Sequence, residues 1–339
     1  MNLKTEITKI HYAEKPKGIL FCILKLCSGF YSIGSGLKNF LYDRGILNPQ
    51  KANAYVISVG NLTTGGVGKT PVVCALAKYF VEKNERVCII SRGYGGKLDN
   101  KKVNVISDGI NLYYKADMAG DEPYWLAVNL NMCAVLTCSD RYKAAKYAVK
   151  NLGVTKIILD DGFQHRKIYR DLNIVLVDSE KRFGNGCELP AGPLRESANN
   201  IRRADKVIVV SKNTNHDAAE EYINELKKDF NGDVIICKTE PDYIYNIMTG
   251  EHLEKGVEIT ALSAIGQPEQ FYNFLENDYV IKDKITFDDH HKYTAEDIKN
   301  IQGNIVTTEK DAVKLALLGR ENIFALKLKT AFDIEKLLK

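Results

Sequence analysis

The chain has 339 residues, 45% of them hydrophobic and 27% charged, which excludes general disorder and allows two domains, each with its own core. A net charge of +4 is small for that length and argues against an extended nucleic-acid footprint, so no nucleic acid is expected as a partner. The cysteines, at 22, 27, 74, 88, 133, 138, 187 and 237, form no CxxC pair, which fits a reducing cytoplasm and gives no zinc site.

The chain opens on an unusual stretch. From Gly18 to Tyr42 the polar positions Lys25, Ser28, Ser32, Ser35 and Asn39 recur every three or four residues and draw one narrow polar stripe along a helix that is otherwise apolar or small. The longest uninterrupted apolar run, Gly18 to Leu24, is shorter than a transmembrane helix requires, and no cleavage pattern marks a signal peptide. Two readings compete: a helix packed into the protein's own core, or an interfacial helix whose apolar face enters a bilayer while Lys15, Lys17, Lys25, Lys38 and Arg44 meet anionic headgroups. The wide apolar face with basic flanks favours the membrane surface.

Next comes Val56 to Pro71, an apolar strand that breaks into Thr63-Thr64-Gly65-Gly66-Val67-Gly68-Lys69-Thr70 and continues as a helical run. Strand, glycine-rich loop, Lys-Thr and helix is the layout of a P-loop. Glycines let backbone N–H groups converge on phosphate oxygens, and the helix N-terminus adds partial positive charge. Lys69 would reach the terminal phosphates and the Thr70 hydroxyl would ligate Mg²⁺. The usual spacing places glycine at position 63, where this chain has Thr63. A plain glycine-rich turn before a surface lysine is the bland alternative.

A second strand ends in Ser91-Arg92-Gly93-Tyr94-Gly95-Gly96, a loop at the carboxyl end of a strand, where open α/β sheets place ligands. Gly120-Asp121-Glu122-Pro123 precedes an apolar helix, and the acidic pair by itself reads as a helix cap. Another strand leads to Asp140-Arg141, and the next, Lys156 to His165, ends in Asp160-Asp161. A strand ending in acid is where a P-loop enzyme places the carboxylate that holds Mg²⁺. Two further strands, Asn173–Asp178 and Asp205–Lys212, flank the Pro/Gly-rich loop Gly184 to Glu196, which ends in Arg195-Glu196. From about His216 the texture changes to a charged helix, the strand Val234–Lys238, a tyrosine-rich stretch and further strand–helix pairs. His290-His291 beside Asp289 reads as a structural or active-site pair and has no third ligand spaced for zinc. The alternation predicts an α/β fold of P-loop NTPase type, with a mainly parallel sheet flanked by helices. It divides into an N-terminal amphipathic segment (1–48), a P-loop core (49–215) and a smaller α/β domain (216–339) that closes over the nucleotide site.

Taken in order, GNLTTGGVGKTP, SRGYGG, GDEP, ILDDGFQHR, ELPAGPLRE, FDDHHKYT and VTTEKDAVKL resemble the tetraacyldisaccharide 4′-kinase family of lipid A biosynthesis, from the N-terminal helix almost to the C-terminus. Thr63 in place of glycine agrees with that family. The resemblance implies transfer of the γ-phosphate of ATP, with Mg²⁺, to the 4′-hydroxyl of a tetraacyl glucosamine disaccharide 1-phosphate. It implies work at the cytoplasmic face of the inner membrane, peripherally anchored by the N-terminal helix, with no obligate protein partner. Thr63 to Thr70 would hold the phosphates, Asp121 would be the base with Glu122 its neighbour, and Asp160 and Asp161 would bind Mg²⁺ and water and couple to His290. Arg92, Arg141 and Arg195 are candidate phosphate partners by charge and loop position. The rival readings are a P-loop NTPase switch or metallochaperone without lipid acceptor, and a non-catalytic lipid-binding protein that keeps the fold.

Overall fold

The computed structural model describes residues 3–212, 216–266, 268–288 and 291–339. Two helices come first, α1 (Leu3–Tyr12) and α2 (Ile19–Asp43), followed by β1 (Tyr55–Asn61), α3 (Lys69–Glu82), β2 (Val87–Ser91) and β3 (Asn104–Ser107). Then come α4 (Ala116–Ala119), α5 (Asp121–Asn129), β4 (Cys133–Thr137), α6 (Arg141–Leu152), β5 (Lys156–Asp160), β6 (Leu172–Asp178) and β7 (Lys206–Ser211). The remainder comprises α7 (Asp217–Asp229), β8 (Asp233–Asn246), β9 (Glu258–Ser263), α8 (Pro268–Glu276), β10 (Val280–Thr286), α9 (Ala295–Ile298), β11 (Asn304–Thr308), α10 (Glu309–Leu315), β12 (Ile323–Ala331) and α11 (Ile334–Leu338).

All the strands join one sheet in the order β10-β9-β11-β12-β8-β7-β6-β1-β5-β2-β4-β3. Pairing is parallel except at β3 with β4 and at β8 with β12. The central strands are apolar almost without interruption because both faces are covered, as a parallel sheet requires. Ile57, Ile89 and Ile158 face α3 and α5, whereas Val56, Cys88 and Ile157 face α6, the expected alternation along a strand. Val175, Val207 and Val209 pack under α7.

β8 is longer than the strand expected at Val234–Lys238. Its first residues pair with β7, and from Lys238 to Asn246 it pairs with β12, taking in the tyrosine-rich stretch. Pro241 is accommodated opposite Leu328, where the ladder shifts register between Leu326 and Leu328. β10 escapes sequence reading because it is an edge strand with little apolar alternation and with Lys282 and Lys284 on it. The C-terminal helix, α11, packs back on the P-loop half: Leu337 is fully buried in the core shared with α3.

α2 orients its stripe against convention. Ser28 donates to the Glu188 carbonyl (2.7 Å), Ser35 to the Glu188 carboxylate (2.8 Å) and Asn39 to the Glu196 carboxylate (2.8 Å), so the polar stripe faces the protein. Ile19, Ile23, Leu26, Phe30, Ile33, Leu37 and Phe40, spaced alternately four and three residues apart, are left exposed on the opposite side. The helix is therefore not a core helix. By length and composition it is long and apolar enough to cross a membrane. Lys38 does not extend outward with the other basic residues; its ammonium donates to the Gln164 carbonyl at 2.9 Å.

Candidate functional site

The loop after β1 is shaped by two glycines in the left-handed region, Gly65 (φ 104°) and Gly68 (φ 91°), and Gly68 caps α3. Thr63 needs no such freedom. It pairs as an isolated bridge with Leu194, Thr64 N–H donates to the Pro193 carbonyl (2.7 Å), and Arg195 N–H donates to the Leu62 carbonyl (2.7 Å). The loop that ends in Arg195-Glu196 is thus a brace laid along the P-loop. A second brace comes from the end of β7, where Lys212 donates to the Gly66 carbonyl (2.7 Å) and pairs with Asp178 (2.9 Å).

Lys69 follows Gly68 and turns its ammonium to Asn61 Oδ1 (3.0 Å) and Asp161 Oδ1 (3.4 Å). Asp161 adopts φ 54°, an uncommon conformation for a residue with a side chain, at the turn that follows β5. Arg195 Nη1 donates to both of its carboxylate oxygens, at 2.8 and 2.7 Å. Burial pushes the Asp161 carboxyl up, but Lys69 and Arg195 overcome this and hold it below the ordinary carboxylate value. Asp160, one residue earlier, is the opposite case. It is buried, its Oδ1 has no hydrogen-bond partner among the described residues, and burial with the nearby charge of Glu122 pushes its carboxyl up to about 7.

The Gly-Asp-Glu-Pro segment does not cap in the expected way. Gly120 takes the cap position of α5, and Asp121 and Glu122 fall within the first helical turn. Glu122 accepts from the Thr70 hydroxyl at 3.2 Å, and Asp121 Oδ2 lies 3.0 Å from Lys314 Nζ on α10. Glycine is required here by close approach: a Cβ on Gly120 would stand 2.8 Å from the Tyr94 carbonyl, and one on Gly96 2.7 Å from the Ala119 carbonyl. The loop after β2 is thereby pressed against the start of α5. Arg92 on that loop is exposed. Arg141, at the start of α6, is buried; its Nη1 donates to the Ser139 carbonyl (3.1 Å) and its Nε has no partner among the described residues. Burial lowers the Arg141 guanidinium from its ordinary value, opposed by the charges of Asp161 and Asp160.

Thr70, Lys69, Glu122, Asp160 and Asp161 are thus assembled at one end of the sheet, with Asp121 beside them and Arg195 committed to Asp161. His290 lies outside the described residues. Sequence reasoning missed Asn61, at the end of β1 and only eight residues before its partner Lys69, and also Lys212 and Lys314, which reach the site through long-range contacts that leave no local signal. A cavity of about 450 Å³ opens beside Thr70 between the two halves, lined among others by Cys74, Trp125, Phe271, Phe274 and Lys310.

Among the described residues no three His, Cys, Asp or Glu side chains are grouped to hold a metal alone. Mg²⁺ does not need such a cage, because it binds through one or two protein oxygens together with substrate phosphates and water. The unpartnered buried oxygen of Asp160 and the hydroxyl of Thr70 fit that mode.

A family model for tetraacyldisaccharide-1-P 4′-kinase, LpxK, matches residues 20–339. The tetraacyldisaccharide 4′-kinase of Syntrophus aciditrophicus (strain SB) is 38% identical over 324 residues, 89% of this chain and 86% of that protein. That of Halothermothrix orenii (strain H 168) is 35% identical over 325 residues, 88% of this chain and 84% of that protein. A crystal structure of LpxK from Aquifex aeolicus, described as an "apo" form in complex with ATP, is similar with a TM-score of 0.75 at 34% identity, covering 94% of this chain and 98% of that one. With a match of this extent, the chain belongs to the tetraacyldisaccharide 4′-kinase family.

Proposed function

We propose that the protein transfers the γ-phosphate of ATP to the 4′-hydroxyl of tetraacyldisaccharide 1-phosphate, forming lipid IVA in lipid A biosynthesis. Beyond family membership, one observation carries the reading: Lys69 and Thr70, at the left-handed cap of α3, stand with Asp160, whose buried Oδ1 has no partner among the described residues, and with the acidic first turn of α5. The loop amides of residues 63–70 and Lys69 hold the phosphates. Thr70 and Asp160 would hold Mg²⁺, which when bound would supply charge neutralisation at the phosphate oxygens. Asp161 keeps Lys69 aimed and is itself fixed by Arg195, while the buried Arg141 and the exposed Arg92 add positive charge nearby. Asp121 accepts the proton of the acceptor hydroxyl as the new O–P bond forms, a contribution of ~10²–10⁴ for a positioned base. Residues 49–215 form the nucleotide-holding core and residues 216–339 close over it. The exposed face of α2 seats the enzyme peripherally on the cytoplasmic face of the inner membrane, where its acceptor resides.

The test incubates detergent-solubilised protein with γ-labelled ATP, Mg²⁺ and the tetraacyl disaccharide 1-phosphate. Label is expected in the lipid, with a loss of ~10² or more in Lys69→Ala and in Asp121→Ala. Label released only as free phosphate, at a rate indifferent to lipid, would replace this reading with that of an NTPase switch.

A further inference from the structure

Asn61 closes β1, where it pairs with Leu176 of β6, and it is fully buried. Its planar amide serves two neighbours of opposite kind. Nδ2 donates to the Thr63 carbonyl at 2.7 Å, and Oδ1 accepts from the Lys69 ammonium at 3.0 Å. A carbonyl only accepts and an ammonium only donates, so these neighbours fix which way round the amide sits. The main chain is held as well, since the Asn61 carbonyl accepts from Gln164 Nε2 at 2.9 Å. Lys69 is a flexible side chain with many rotamers to lose, and its other partner, Asp161, stands further off at 3.4 Å. The hydrogen bond that gives the ammonium a direction is therefore the one to Asn61, while Asp161 attracts it by charge.

We propose that Asn61 is a positioning residue for the nucleotide: its side-chain oxygen aims the Lys69 ammonium at the phosphates, and its neutrality leaves the lysine's charge for them. The inference rests on reading Lys69 as the phosphate-binding lysine of the site. An ammonium has three N–H groups, and Asn61 takes one of them without bringing a charge. A carboxylate in its place would add a second negative charge to Lys69 beside Asp161 and set an acceptor against the Thr63 carbonyl. An apolar side chain would leave the lysine unaimed and a buried carbonyl without its partner. A side-chain amide at the end of β1 meets both demands at once. The same amide pins the start of the loop, because Thr63 stands where the usual P-loop spacing has glycine and its carbonyl is tied back to β1. Lysine and loop are thus set from one buried point, which is positioning before the nucleotide arrives.

The test is a double-mutant cycle on ATP affinity, measured by calorimetry on the full-length protein with Mg²⁺ and no acceptor, using Asn61→Leu, Lys69→Met and the double variant. Lys69→Met is expected to weaken ATP binding by ~10-fold or more, and Asn61→Leu by ~10-fold with Lys69 present but no more than ~3-fold without it. At pH 8, where a carboxylate beside Lys69 is ionised, Asn61→Asp should also bind ATP ~10-fold more weakly than wild type. In lipid phosphorylation Asn61→Leu should lower kcat by ~30-fold and keep the KM for the lipid acceptor within ~3-fold of wild type. Equal fold-losses in ATP affinity from Asn61→Leu in the two backgrounds would mark a merely structural role and overturn the proposal. A loss carried by the KM for the acceptor, or wild-type ATP binding by Asn61→Asp at pH 8, would overturn it too. If Lys69→Met binds ATP like wild type, the reading of the nucleotide site itself falls, and this inference with it. Thermal melting checks folding, and should Asn61→Leu fail to fold, Asn61→Ala completes the cycle under the same criteria.

Discussion

Asp160 and Asp161 are neighbours in sequence with opposite electrostatic fates, and the difference lies in what each faces. Asp161 turns through a left-handed backbone toward Lys69 and Arg195, whereas Asp160 stays with the buried end of β5 beside Glu122. Four residues on, His165 is governed by the same rule with the sign reversed. Its Nε2 is buried without a partner among the described residues, and burial, reinforced by Arg141, pushes the imidazole down to about 4. An unfolded histidine takes up its proton near pH ~6.5. Between that value and about 4 the unfolded chain holds a proton that the folded one does not. Stability is therefore lost as pH falls through that window, and His165 contributes nothing to the slope above it. Urea unfolding at pH 7 and pH 4.5 should show wild type losing on the order of 2 kcal/mol more than His165→Gln. Parallel losses in the two proteins would place the acid sensitivity elsewhere.

At the scale of elements, α2 shows what sequence periodicity conveys and where it stops. The spacing of Lys25, Ser28, Ser32, Ser35 and Asn39 correctly marks a stripe, but spacing carries no sign, and here the polar side is the one that docks. The exposed side then offers Phe30 (73% exposed) and Ile33 (69% exposed) to whatever lies beyond the protein. Each large apolar side chain that enters a bilayer interface is worth roughly 1.5–3 kcal/mol. Phe30→Asp and Ile33→Asp should therefore each weaken sedimentation with anionic-lipid vesicles by ~10-fold or more and leave the melting temperature unchanged, because neither side chain packs inside the protein. A loss of melting temperature comparable to a core substitution would mean that α2 covers protein rather than lipid. The P-loop and the acid at the end of β5 are legible because strand, loop and helix are contiguous. The cap reading of Asp121 and Glu122 fails because Thr70 and Lys314, distant in sequence, compete for the carboxylates. For the same reason the two braces of the P-loop, from Pro193–Arg195 and from Lys212, carry no local signature. β12 is different: Leu326 and Leu328 alternate with Lys327 and Lys329, a strand signal that is local and present in the sequence.

At the scale of the whole molecule, the path of the chain ties the C-terminal half to the P-loop half twice. β8 leaves the side of β7 and continues as the partner of β12, and β12 returns antiparallel along it to deliver α11 against α3. Any movement of the C-terminal half must therefore flex this two-stranded ladder, whose irregular point lies opposite Pro241. α11 is the far anchor of that ladder, and its hold is apolar. Leu337 is fully buried with Phe332, Ile334 and Leu338 packed around the same core, whereas the polar contact from Tyr79 to Glu335 (2.9 Å) is exposed. Truncation of a fully buried leucine costs about 2–5 kcal/mol, whereas loss of a solvent-exposed polar contact costs little. Leu337→Ala should accordingly lower the urea midpoint markedly and Glu335→Gln barely. α3 meets α11 on its packed side, away from the N-terminus that carries Lys69 and Thr70, so the KM for ATP of Leu337→Ala should stay near wild type at temperatures where the variant is folded. A raised KM with an unchanged urea midpoint would reverse this assignment, making α11 part of the nucleotide site rather than the anchor of the C-terminal half.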